Sequence, residues 1–223
     1  MKLKEIKIVL KKISHTIPYD YYQRMHGAIC RITGVNETYG NKCNRYIYTN
    51  LIGGENTTKG IVFKNNPYFI IRFSSMDTEL FSNIVNNIIS DKKLFLGLEI
   101  DGVFSPTDTN VDRCHFRTMK QSPILISKKY DKSYINDCEI VEDIEKSLIE
   151  NVKNKALECG FVVDKDLKIK IKSIHNNKTI NYNGIFNVGR VFELLIYANE
   201  DTKNFILLNG LGRSCGCGFG FIY

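Results

Sequence analysis

Lys2-Leu3-Lys4-Glu5-Ile6-Lys7-Ile8-Val9-Leu10-Lys11-Lys12 opens the chain with charged and apolar side chains in turn. Such alternation lays one face of a strand on a core and the other in water, so residues 2–12 are read as a half-buried first strand. It also lacks the apolar block of a secretory signal. Outward from there, Pro18 and the tyrosine-rich stretch to Ile32 predict a helix with proline near its first turn. Arg45–Ile52 and Gly60–Ser75 are β-branched and aromatic, which predicts strands, with a turn at Lys64-Asn65-Asn66-Pro67 joining two pieces of the second. Asp77 or Thr78 is placed to cap a helix running to Ile89, and Leu94–Phe104 reads as a further strand. The order β-α-β-β-α-β is that of a ferredoxin-like domain.

The remainder repeats that order in outline. Asp101–Asp112 reads as a linker or as a hairpin between two halves. His115–Ser127 predicts a strand interrupted at Ser122-Pro123, and Val141–Cys159 predicts an amphipathic helix stopped at Gly160. Leu167–Ile174 and Phe186–Ala198 form a predicted hairpin, followed by a helical turn over Asp201–Leu208 and a last strand from Phe219. The class expected is α+β: tandem ferredoxin-like domains with antiparallel sheets, residues 1–108 and 109–223, the second ending in a glycine-rich loop.

Composition narrows the function classes. Of 223 residues, 43% are hydrophobic and 25% charged, values that exclude disordered and fibrous chains. No apolar run approaches the roughly 20 residues of a membrane span, so no membrane partner is expected. Seven cysteines at irregular spacing include no Cys-x-x-Cys, so no metal or other cofactor is expected, and a reducing cytoplasm is the simplest setting. The formal charge of +7 suits a polyanionic partner. Lys168, Lys170 and Lys172 alternate with isoleucines, which is read as a phosphate track ahead of its alternative, an edge strand guarded against pairing.

Gly210-Leu211-Gly212-Arg213-Ser214-Cys215-Gly216-Cys217-Gly218-Phe219-Gly220 carries five glycines in eleven residues. It admits two readings: backbone N–H groups held open for phosphate oxygens with Arg213 adding charge, or a tight turn packed on the core.

Gly-x-Gly, five residues, then Gly-x-Gly-aromatic resembles the loop of the repeat-associated (RAMP) proteins, especially the Cas6-type endoribonucleases that process CRISPR repeats. Thr118 to Ser122-Pro123-Ile124 is similar to that family's Thr-x-Ser-Pro segment with an extra residue, and Pro18-Tyr19-Asp20-Tyr21-Tyr22 through Ile29 is similar to its first helix. The resemblance implies a metal-independent endoribonuclease that binds CRISPR repeat RNA, as precursor crRNA, and cuts it by attack of the RNA's own 2′-hydroxyl. A 2′,3′-cyclic phosphate would remain. It further implies association with Cas effector subunits and a monomer or homodimer.

That chemistry needs proton carriers and positive charge, and histidine suits the first. On this reading His26 is the first catalytic candidate, sharing a helix face with Tyr22 and Cys30, with Tyr22 orienting the phosphate or leaving group. Its competing role is a core-flanking histidine. His15, just before the helix, is the runner-up; Lys42 and Arg45 would stabilise transition-state charge. RNA contacts are expected from Arg45, Arg117, Lys168, Lys170, Lys172, Arg190, Gly210, Gly212, Arg213, Ser214, Gly218 and Gly220. Where the family has a helix tyrosine this chain has Cys30, which points to the alternative, a non-catalytic RAMP subunit that holds crRNA.

Overall fold

The computed structural model describes residues 2–35, 43–109, 111–126, 138–182 and 184–223. The chain runs β1 (Leu3–Leu10), α1 (Tyr22–Thr33), β2 (Tyr46–Tyr48), β3 (Ile52–Thr57), β4 (Gly60–Ser74), α2 (Thr78–Ser90), β5 (Ile100–Val103) and β6 (Thr107–Asp108). It continues with β7 (His115–Arg117), β8 (Ile124–Leu125), α3 (Cys138–Glu158), β9 (Lys168–Tyr182), β10 (Ile185–Tyr197) and α4 (Glu200–Asn209). The first six strands form one sheet in the order β2-β4-β1-β5, with β3 on β4 and β6 on β1; the last four form a second, β7-β10-β8 with β9 on β10. Every pairing between these strands is antiparallel. The mixed α+β class and the antiparallel ferredoxin-like order hold. No helix among the described residues is long and apolar enough to cross a membrane.

The alternation of β1 translates directly into packing. Leu3, Ile6, Ile8 and Leu10 are buried, and the last three join Met25, Ile29 and Ile32 of α1 and Leu80, Ile84 and Ile88 of α2 in one core. A second core sets Ile144, Leu148 and Val152 of α3 against Phe192, Leu194 and Ile196 of β10. Between them lies Arg72, fully buried, whose guanidinium donates to Glu5 and to the carbonyls of Leu207 and Ile222, with its flat face over the Phe221 ring.

Four expectations need correction. Pro18 does not open α1, because Ile17 exchanges both backbone hydrogen bonds with Ile61 in an isolated bridge and a turn over residues 19–21 precedes the helix, which starts at Tyr22. Lys64–Pro67 is not a turn but lies inside β4; the reversal comes at Thr57–Gly60, and Pro67 is tolerated where the β3 register shifts between Ile52 and Gly54. Asp101–Asp112 is not a linker, since β5 and β6 both pair with β1. The segment from Phe219 forms no strand: a single bridge, Thr118–Ile222, ties it to the second sheet. The cysteines were also read only as thiols, whereas Cys43 and Cys159 form a disulfide between the segment ahead of β2 and the end of α3.

Candidate active site

Helix α1 buries Met25, Ala28, Ile29 and Ile32 and ends at Gly34, whose φ of 70° lets its N–H return to the Cys30 carbonyl. One face of it carries Tyr22, His26 and Cys30 at four-residue spacing, and that face lies against β2 and the glycine loop. His26 Nδ1 is 3.2 Å from the Tyr48 hydroxyl, and Nε2 is 3.5 Å from Cys30 Sγ. A ring N–H also bonds the backbone of Gly216. Burial holds the imidazole below its ordinary value of 6.5, against the pull of the Gly216 bond, while burial pushes the Tyr48 phenol well up. His26 is therefore neutral at pH 7, with Tyr48 able to donate to Nδ1 while Nε2 carries the ring proton. Its exposure of 8% means that the imidazole lies under the loop rather than on an open surface.

The glycine loop is a packed knot. A Cβ on Gly210 would stand 2.7 Å from Ile47, one on Gly212 2.5 Å from the Leu125 carbonyl oxygen, and one on Gly218 2.5 Å from the Tyr48 ring. All three, and Gly220, have φ between 69° and 82°. The N–H groups of Gly210, Leu211, Arg213, Cys217, Gly218 and Gly220 are spent on carbonyls within the chain. Gly210, Gly212, Gly218 and Gly220, expected to contact RNA, are buried here and shape the loop; of its residues only Arg213 and Ser214 are exposed, with Gly216 half-buried between Cys215 and Cys217. Arg213 Nε donates to the Ile126 carbonyl at 2.9 Å. Asn50 stitches the loop to its surroundings, giving its side-chain N–H groups to Gly218 and Gln121 and its backbone N–H to Ser122.

The other candidates disperse. Tyr22 is buried at 2% exposure, its ring 4.5 Å from Tyr21 and 5.6 Å from Phe219, so its hydroxyl does not present itself to a phosphate. His15 is exposed but holds the Leu96 carbonyl at 2.8 Å. Arg45 is a clamp on the start of α2, bonded to Asp77 at 2.6 and 2.9 Å and to Glu79 at 2.9 Å, and its charge is neutralised there rather than at His26. Arg190 is 3% exposed, too deep for a strand of RNA. Arg117 is exposed and pairs with Glu193 at 2.7 Å; Lys170 pairs with Glu145 at 2.7 Å. Lys168 and Lys172 are exposed, but the register shift opposite Glu193 and Leu194 breaks the common face at Lys172. Lys42 lies outside the described residues.

Sequence reasoning missed Tyr48, Lys120 and Lys178. A cavity of about 500 Å³ opens where α1 begins, walled by Tyr21, Asn56, Lys120, Gln121, Lys178 and Val191 among others. Lys178 Nζ lies 5.6 Å from the ring centroid of Tyr22, the residue one helical turn before His26. Burial, then the Lys120 charge, push the Lys178 ammonium down to about 8. The only hints in sequence were that Lys120 sits inside the Thr118–Pro123 segment and that Lys178 belongs to the stretch from residue 164 onward, where Lys and Arg outnumber the acids.

The family model described as CRISPR associated protein Cas6, C-terminal, matches residues 105–223. The fold is similar to that of a protein from a Cas6-related gene of Pyrococcus furiosus, with a TM-score of 0.76 and 18% identity, covering 100% of this chain and 97% of that one. It is similar to a RAMP protein described as binding different RNA substrates, at TM-score 0.73 and 15% identity over 100% and 98% of the two chains. A third likeness is to Thermus thermophilus Cse3 bound to an RNA representing a pre-cleavage complex, at TM-score 0.57 and 14% identity over 100% and 98%. No curated protein matches the sequence. At these identities the solved structures speak to the fold.

Proposed function

Because the chain belongs to the Cas6 family of CRISPR-associated proteins, we propose that it binds CRISPR repeat RNA and cuts it, the RNA's own 2′-hydroxyl attacking the adjacent phosphate while His26 accepts the proton. The observation that carries this reading is a desolvated, neutral imidazole fixed between Tyr48 and the glycine loop, on the helix whose Tyr22, one turn earlier, has the Lys178 ammonium over its ring. A neutral ring accepts a proton, where an imidazolium would not. The Tyr48 hydroxyl at Nδ1 steadies the ring. The turn at Ser214–Gly216 must yield for the ribose to reach it; release of the Gly216 bond lets the ring take the tautomer in which Nδ1–H donates to the Tyr48 hydroxyl, so that the bare Nε2 accepts the proton. The bond that breaks is phosphorus to the 5′-oxygen, which takes up a proton returned by the His26 imidazolium directly or through water, leaving a 2′,3′-cyclic phosphate and a 5′-hydroxyl; the steps require no metal ion.

Incubation with the protein's own repeat RNA in EDTA tests this. Cleavage of the repeat but not of a scrambled RNA, with a cyclic-phosphate end, is expected; intact RNA bound to the protein is the outcome that would sink it. That outcome belongs to a second reading, a non-catalytic subunit that holds crRNA within an effector assembly. One observation favours it: both ring nitrogens of His26 already have partners inside the protein.

A further inference from the structure

We propose that the cavity walled by Tyr21, Asn56, Lys120, Gln121, Lys178 and Val191 is a subsite for one unpaired nucleotide of single-stranded RNA, its phosphate held between Lys120 and Lys178. The proposal rests on the RNA-binding reading above and goes beyond it by assigning the residues and the unit they take.

Size comes first. About 500 Å³ falls within the range of roughly 300–1,000 Å³ typical of small-ligand pockets. Its walls are divided as a nucleotide is divided. Tyr21, Leu51 and Val191 supply apolar surface, and Tyr21 is immobilised between Tyr22 at 4.5 Å and Phe95 at 6.3 Å between ring centroids. Asn56 and Gln121 bring amides, each with donors and an acceptor, which is what the edge of an unpaired base requires. The ammonium groups of Lys120 and Lys178 supply the phosphate contacts.

Charge decides the occupant. Among the described residues Glu55 is the one carboxylate on the wall, already 2.9 Å from Lys64 Nζ, and neither Lys120 nor Lys178 forms an ion pair. Two like charges converge on a partly desolvated space, and each raises the cost of the other until an anion enters. Tyr21 lines the same space and the Tyr22 ring lies under Lys178, but burial pushes both phenols up, so they stay neutral throughout the range in which Lys178 titrates. A phosphodiester, anionic at any working pH, would restore the Lys178 proton as it binds. Occupancy and protonation are thereby linked, and affinity falls as pH rises through about 8.

The test uses 2′-O-methyl oligouridylate and oligoadenylate, which cannot be cut, with the full chain and fluorescence anisotropy near pH 7 and pH 9. The wild type is expected to bind about tenfold more weakly at the higher pH, the ratio of protonated fractions for a group near 8. Lys178→Ala and Lys120→Ala should each weaken binding at least about fivefold near pH 7. Lys178→Arg should keep the affinity and lose the pH dependence, because a guanidinium stays charged. Affinity unmoved by both alanine substitutions, or a pH dependence surviving in Lys178→Arg, would overturn the subsite. Inorganic phosphate competing as well as the oligonucleotides would also overturn it, reducing the cavity to a bare anion site. Repeat RNA bound no better than scrambled RNA, with the oligonucleotide results intact, would instead remove the CRISPR reading and leave the subsite standing.

Discussion

Arg72→Met is expected to destabilise the protein by about 3–5 kcal/mol, the usual cost of removing one partner from a buried charged network. The arginine has no exposure, and its guanidinium closes three accounts at once: the Glu5 carboxylate and the carbonyls of Leu207 and Ile222, at 3.0 and 2.9 Å. Methionine fills much of the volume but returns no donor, so two buried carbonyls and a carboxylate that is 24% exposed lose their partner together. For a chain of this length, each kcal/mol moves the melting temperature by about 2–4 °C, so a drop of roughly 6–20 °C should appear in a calorimetric or circular-dichroism melt. A fall of less than about 2 °C would mean that the two halves do not depend on this residue.

Gly220→Ala should be comparably damaging, by about 4 kcal/mol, through a different cause. Its φ of 69° is costly for any residue with a Cβ, and that Cβ would be driven into the Leu211 carbonyl oxygen, which cannot give way without moving backbone. The same glycine holds both ends of the knot, accepting from Leu211 N–H at 3.1 Å and donating to the Pro123 carbonyl at 3.0 Å. Gly216 and Cys217 would then shift against His26, so RNA cleavage should fall along with the melting temperature. Gly27→Ala is the control: nothing lies within 4 Å of its Cβ position inside α1, and a gain of about 0.5–1 kcal/mol is expected. Equal melting curves for the two variants would contradict the packing account of the loop.

How far the residues announced this structure depends on whether the information was local. The alternation of Leu3–Leu10 and the Asp77 cap on α2 are local, and both appear as expected, Asp77 accepting from the Leu80 N–H at 3.1 Å. The face shared by Tyr22, His26 and Cys30 is also local, a consequence of helical spacing. Glycine content at 210–220 marked a special backbone but could not say which way its N–H groups point; that depends on Leu125, Pro123 and Tyr48 arriving from elsewhere. The surroundings of Arg45 and Arg190 were out of reach for the same reason, since an arginine's availability is set by distant carboxylates and by depth. The cavity lay beyond sequence reading altogether, because Tyr21, Asn56, Lys120 and Lys178 meet only after both sheets have formed.

The central claim is that the His26 imidazole moves protons during RNA cleavage. Single-turnover cleavage of repeat RNA in EDTA, followed against pH for the wild type and His26→Ala with binding measured alongside, tests it most directly. Desolvation should place the acidic limb of the wild-type profile below 6.5, the ordinary histidine value, and the variant should cut at least about tenfold more slowly, lose that limb and keep its affinity for the repeat. Cleavage by His26→Ala at the wild-type rate, with the same profile, would contradict the account.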